Sequence, residues 1–180
     1  MILTYKECIE LYGSDYKLKR AIKEKKLYQI EKGYYSDSEL NAEIELIVAK
    51  FPKAIFAAES AYYYYGLTDV IPDYYHLATK RTDTRIKDTR IKQSFVMDEI
   101  FDVGKCMFSY QNINIPIYDK ERLLIDLIRF KNKMPFDYYK EIINSYRAII
   151  NELDFFQLEE YASRFKKTTN IIEKIQLEVL

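Results

Sequence analysis

The chain has 180 residues, 48% of them hydrophobic and 16% aromatic, and its 28 basic and 28 acidic side chains leave no formal net charge. That length holds one domain or two small ones, and that apolar content excludes a disordered chain. The charge balance excludes a globally basic protein but not a local basic face, and only four glycines and four prolines favour long regular elements.

At the N-terminus, Thr4-Tyr5-Lys6-Glu7 reads as a capping box that opens a short helix. Tyr5, Cys8, Ile9 and Tyr12 share one face of it, and Gly13 ends it. Ser14 caps a second helix to about Lys25, with Leu18, Ala21 and Ile22 inward and Lys17, Lys19, Arg20 and Lys23 outward. Leu27 to Tyr35 then reads as a hairpin, with Gly33 closing a three-residue turn and Lys32 at its tip. Two short helices followed by a hairpin predict a winged helix-turn-helix over residues 1–36. Residues 14–32 carry seven bases against three acids, an excess of four in a neutral chain. Duplex phosphates attract such a face through counterion release. A solvated helix face beside a hairpin would carry the same charges, so spacing alone leaves both readings open.

Ser36-Asp37-Ser38-Glu39 reads as a second capping box, opening a helix whose stripe is Leu40, Ile44, Ile47, Val48 and Phe51 before Pro52 stops it. Residues 54–57 suit a short buried strand, and residues 59–65 a helix ending at Gly66. Strands are expected at 74–79, 92–97, 105–111 and 113–118. From Asp119 the pattern is helical to the end. One helix runs to about Lys133, and a second is opened by Pro135. A third is capped at Asp154, and a last one from about Thr169 uses Ile172, Ile175 and Val179. The expected fold is α+β: the winged helix, then residues 37–180 as a mixed domain with a small sheet and a helical C-terminal part.

Chemistry-bearing motifs are sparse. There is no P-loop, GxGxxG, GxSxG or HExxH pattern, and neither Cys8 and Cys106 nor the lone His76 suggests a disulfide or a zinc site. His76 reads as a packed strand residue. Glu59, Asp69, Asp73, Glu121 and Asp126 are acids without a spacing that gathers them around an ion. Glu121, Arg122 and Asp126 read as helix-surface or interface ion pairs. The tyrosines 62–65 read as packing rather than as a base-stacking platform. Residues 80–92 form a second basic segment, six bases against two acids, containing the duplication Thr84-Arg85-Ile86-Lys87 and Thr89-Arg90-Ile91-Lys92. The expectation is a cytoplasmic protein without catalytic residues, metal or cofactor, and without a leader or a membrane span.

Three stretches in order then resemble the AbiEi antitoxins of type IV toxin–antitoxin systems. Leu27-Tyr28-Gln29-Ile30-Glu31-Lys32-Gly33-Tyr34-Tyr35 is similar to the family's wing. The stretch from Phe51-Pro52 through Glu59-Ser60-Ala61 to Gly66-Leu67-Thr68 is similar to its core segment, and Ile117 to Ile128, with Glu121-Arg122 and Asp126, to one of its helices. The resemblance implies a DNA-binding domain at 1–36 that represses its own operon by contacting operator DNA, with Lys17, Lys19, Arg20, Lys23 and Lys32 as the contacts expected on charge. It also implies an antitoxin domain at 37–180 that counteracts a nucleotidyltransferase toxin without a stable complex. Arg81, Arg85 and Arg90 are its most polar candidate surface. The alternative is a small nuclease or nucleic-acid-modifying enzyme targeted by the winged helix.

Overall fold

A computed structural model describes residues 1–40 and 42–180. The chain is mixed α/β with a helical C-terminal region, and it divides into two compact units, Met1–Lys53 and Ala54–Leu180.

The first unit opens with a strand that sequence patterning does not signal, β1 (Ile2–Thr4), followed by α1 (Tyr5–Tyr12) and α2 (Asp15–Lys23). The capping box at Thr4 forms as expected: the Thr4 side chain accepts the Glu7 amide, and the Glu7 carboxylate accepts the Thr4 amide at 2.7 Å. Gly13, at φ +79°, ends α1 in the left-handed conformation, and Ser14 caps α2. Strands β2 (Tyr28–Glu31) and β3 (Tyr34–Ser36) complete an antiparallel sheet in the order β1-β3-β2. The hairpin turn has two residues rather than three. Glu31 pairs with Tyr34, and the register shift falls between Gln29 and Glu31 as a bulge. Cys8, Leu18, Ala21, Leu27 and Tyr35 form the core, with Leu3, Ile9, Tyr12 and Ile22 packed on it.

The expected second capping box does not form. Ser36 is buried and is the last residue of β3, facing Ile2 and Tyr28, and the Asp37 carboxylate accepts the N-terminal ammonium at 2.9 Å. The next helix, α3 (Glu43–Lys50), starts later and without a side-chain cap, burying Ile44, Leu46 and Ile47, while Leu40 is 90% exposed. Helix α3 packs on β1, and Lys50 meets Glu31 at 2.8 Å. The compact unit that holds this sheet extends to Lys53 and includes α3, which packs on β1.

The second unit is built on a five-stranded sheet, β4 (Ile55–Phe56), β5 (Tyr75–Lys80), β6 (Ile91–Val96), β7 (Lys105–Tyr110) and β8 (Ile113–Tyr118), ordered β6-β5-β4-β8-β7. Between them lie α4 (Ala58–Tyr64) and a short helix that the sequence pattern does not predict, α5 (Asp98–Phe101). Strands β5 and β6 are parallel neighbours although only ten residues, 81–90, connect them. Parallel neighbours usually need a longer crossover carrying a helix, so this loop must run back along the pair to reach the start of β6.

Helices α6 (Lys120–Phe130), α7 (Phe136–Ala148), α8 (Phe155–Ser163) and α9 (Thr168–Glu178) complete the unit. Asp119 and Asp154 cap α6 and α8 through their side chains. Leu123, Leu124, Ile125, Leu127 and Ile128 make α6 the central helix, contacting α4, α8 and α9. In α9 the buried positions are Ile171 and Ile175, followed by Val179 just past its end, so Ile171 rather than Ile172 faces the core. Among the described residues no helix is long and apolar enough to cross a membrane.

Candidate functional site

Helix α2 is amphipathic because Leu18 and Ala21 fall one turn apart on its buried side. Lys17, Lys19, Arg20 and Lys23 are therefore exposed, as is Lys32 at the hairpin turn. The structure sorts these five. Lys19 is paired with Asp15 at 2.7 Å and Arg20 with Glu24 at 2.7 Å, both one helical turn apart. The Lys19 partner holds the Asp15 carboxyl below its ordinary range, and Lys26 and Arg20 do the same for Glu24. Among the described residues Lys17, Lys23 and Lys32 have no acidic partner within 4 Å. Exposed pairs of this kind contribute little to stability, and they open readily toward phosphate.

The second basic segment is also sorted by its partners. Asp83 accepts the Lys80 amide at 2.9 Å, and Asp88 holds Arg90 through Nε at 2.9 Å and Nη2 at 2.6 Å. Arg90 is thus half-buried and engaged at its guanidinium, a fastener of the loop more than an outward-facing contact, whereas Arg81 and Arg85 are exposed. Gln93 on β6 fixes the loop from beneath. Its Oε1 accepts the Ile86 amide at 2.7 Å, and its Nε2 donates to Thr79 Oγ1 at 2.7 Å and to the Thr84 carbonyl at 3.2 Å.

Of the acids, Glu59 acquires a partner that spacing could not foresee. Ala58, at φ +47°, is left-handed at the first position of α4 and directly precedes it. For a residue with a Cβ that conformation costs on the order of 1 kcal/mol. Glu59 Oε2 lies 2.6 Å from His76 Nδ1 on β5, and Lys92 Nζ is 4.0 Å from its other oxygen. Burial works to raise the Glu59 carboxyl, but the hydrogen bond and charge of His76 hold it below its ordinary value. His76 is buried in a strand as expected, and it is also one half of an acid–imidazole pair.

Glu121, Arg122 and Asp126 are not surface ion pairs. Arg122 is 1% exposed. It donates to the carbonyls of Ile100 at 2.6 Å and Val103 at 2.8 Å, pairs with Asp126 at 3.0 Å, and lies against the rings of Tyr118 and Phe165. Glu121 accepts the Asp154 amide at 2.9 Å. Gly104, at φ +74°, makes this possible: a Cβ there would fall 2.3 Å from Arg122 Cβ. Asp119 accepts the Arg122 amide and the Tyr161 hydroxyl, yet burial raises its carboxyl above the ordinary value. Of the acids a nuclease could use, Glu59 is paired with His76, Glu121 accepts the amide at the cap of α8, and Asp126 is paired with Arg122 and Arg129 on its own helix. Among the described residues no three His, Cys, Asp or Glu side chains gather so that they could hold a metal ion.

A groove of about 190 Å³ between α7 and α9 is lined by Lys131, Lys140, Arg147, Phe136 and Leu177. Its one carboxylate, Glu178, accepts Tyr139 Oη at 2.6 Å and Lys131 Nζ at 2.9 Å, which ties α9 to the bundle.

Compared with known protein families and with curated protein sequences, the chain matches no family model and no curated protein.

Proposed function

We propose that the first unit is a winged helix-turn-helix, with α1 and α2 as the helix-turn-helix and the β2–β3 hairpin as the wing, and that the protein is an autorepressing antitoxin of the AbiEi type. The observation that carries the DNA-binding part is the exposed basic face of α2, held outward by Leu18 and Ala21 and continued by Lys32 at the hairpin turn. A helix of this kind suits the major groove, with the hairpin beside the phosphate backbone. Antitoxic action belongs in this reading to the second unit, with the loop bearing Arg81 and Arg85 as its surface. The partners are operator DNA and a nucleotidyltransferase toxin. A binding protein is favoured over a nuclease because Asp119, Glu121 and Asp126 are committed to capping and ion-pair roles inside the helical region.

The test is a duplex carrying the protein's own promoter, titrated by fluorescence anisotropy at several salt concentrations. Lys17→Ala with Lys23→Ala should weaken binding and lower the salt slope by about 1 for each phosphate that is no longer neutralised. An unchanged slope would refute the assignment of α2.

A further inference from the structure

The loop between β5 and β6 lies beside an exposed aromatic residue that the proposed function leaves unused. Phe95 on β6 is 48% exposed, on an edge strand of the sheet. Gln93 and Phe95 are two residues apart, so they project from the same face of β6, roughly 7 Å apart. Gln93 grips the loop on both sides of Arg85, through the Thr84 carbonyl and the Ile86 amide. At the other end of the loop the Arg81 amide donates to the Val96 carbonyl at 2.7 Å, next to Phe95. Two exposed guanidinium groups are therefore carried by backbone fastened on either side of one exposed ring. Within the segment Asp88 holds Arg90 and Asp83 accepts the Lys80 amide, while Asp98 accepts the Thr82 hydroxyl at 3.3 Å; none of these carboxylates is paired with Arg81 or Arg85.

We propose that Arg81, Arg85 and Phe95 form a binding site for single-stranded nucleic acid. The two arginines take backbone phosphates and Phe95 stacks on a base. Phosphate contacts alone would suit any polyanion, but an exposed ring with exposed cations on neighbouring, fastened backbone is the arrangement that single strands use, because an unpaired base has a face to offer and a duplex does not. An acidic protein would use the cations and leave the ring without a matched partner. Arg90 and Gln93 are positioning residues that hold the loop to the strand. The proposal deepens the assignment of the antitoxic surface to this loop. It rests on that assignment only for its biological consequence, because the binding is measured without a toxin.

The experiment uses the full chain and fluorescein-labelled 12-mers of oligo(U) and oligo(dT), with the promoter duplex titrated in parallel. Both single strands should bind. A clear preference for oligo(U) would name RNA as the source, and equal binding would leave the phosphate–base chemistry shared by both. Phe95→Ala should weaken single-strand binding by about tenfold. Arg81→Ala with Arg85→Ala should lower the salt slope by about 1.4, at 0.7 per phosphate, with duplex binding unchanged. Should the double variant fail to fold by circular dichroism, Arg85→Ala alone serves, since Arg85 is exposed. Absence of single-strand binding would overturn the proposal. So would weakened single-strand binding in Lys17→Ala/Lys23→Ala but not in the loop variants. Displacement by polyglutamate with no effect of Phe95→Ala would make the loop a docking surface for acidic protein and would overturn it equally. Failure of duplex binding alone would count against the repressor reading and leave this site standing.

Discussion

Replacing Arg122 by alanine should be among the most damaging single changes in the second unit. The guanidinium is 1% exposed and donates to two carbonyls, Ile100 and Val103, at 2.6 and 2.8 Å. It also neutralises Asp126 and fills the space between the rings of Tyr118 and Phe165. Arg122→Ala leaves both carbonyls without their charged donor, and a hydrogen bond to a charged group is worth about 1.5–3 kcal/mol. Asp126 keeps Arg129 at 2.7 Å, so the stranded carboxylate is partly compensated. The expected destabilisation is therefore about 4 kcal/mol, within the range for breaking one partner of a buried ion pair. With a urea slope of about 2 kcal/mol/M the midpoint of the larger unit's transition should fall by about 2 M, followed by far-ultraviolet circular dichroism. Arg122→Lys should recover only part of this, because an ammonium cannot span both carbonyls and Asp126 with a planar fork. A midpoint shift below about 0.5 M for the alanine variant would refute the reasoning, since it would mean that water or repacking satisfies the two carbonyls at almost no cost.

Other outcomes are expected. The Glu59 carboxyl is held below its ordinary value of 4.5, so its pairing stabilises the fold above that pH, and the contribution is lost as pH falls through the lower folded value. Glu59→Gln should flatten the stability curve in that acid window, and an unchanged curve measured by urea titration between pH 3 and 5, roughly the carboxylate range, would count against the pair. Asp88→Ala removes the carboxylate that grips Arg90 and should speed tryptic cleavage within residues 81–92, read by mass spectrometry, whereas cleavage at the native rate would show that the loop is held without that pair. A fragment Ala54–Leu180 should fold by circular dichroism and, on the antitoxin reading, rescue cells from the toxin without repressing the promoter. A folded fragment at full level that does not rescue would refute the division of labour.

Local signals decided the elements. Thr4 with Glu7, Gly13, Ser14 and Asp154 act within one helical turn of themselves, so these caps and stops are legible one residue at a time. The alternation of β7 and the apolar face of α6 are legible for the same reason, since burial imposes its period on the chain, whereas β8 reads as a strand by its continuous buried run. Ser36-Asp37-Ser38-Glu39 shows the limit. The pattern is a good cap, but pairing of Ser36 with Tyr28 in the hairpin and with Ile2 on β1 competes for the same backbone, and Ile2 is 34 positions away. Strand β1 was invisible because three residues carry no period until β3 lies beside them. Only the tertiary structure decided which charges are engaged. Arg90 and Arg85 occupy the same place in the duplicated stretch, yet Asp88 claims one while the other faces solvent. The spacing of Arg122 and Asp126 suits a helix-surface or an interface ion pair; the pair forms, and α5, Gly104 and Phe165 around Arg122 decide that it is buried. Glu59 met His76 only when α4 was laid against β5. A charge is assigned by what surrounds it: Glu59 meets His76 across 17 positions and Arg122 reaches the Val103 and Ile100 carbonyls across 19 and 22, beyond the reach of any local pattern, whereas Asp88 claims Arg90 from two positions away.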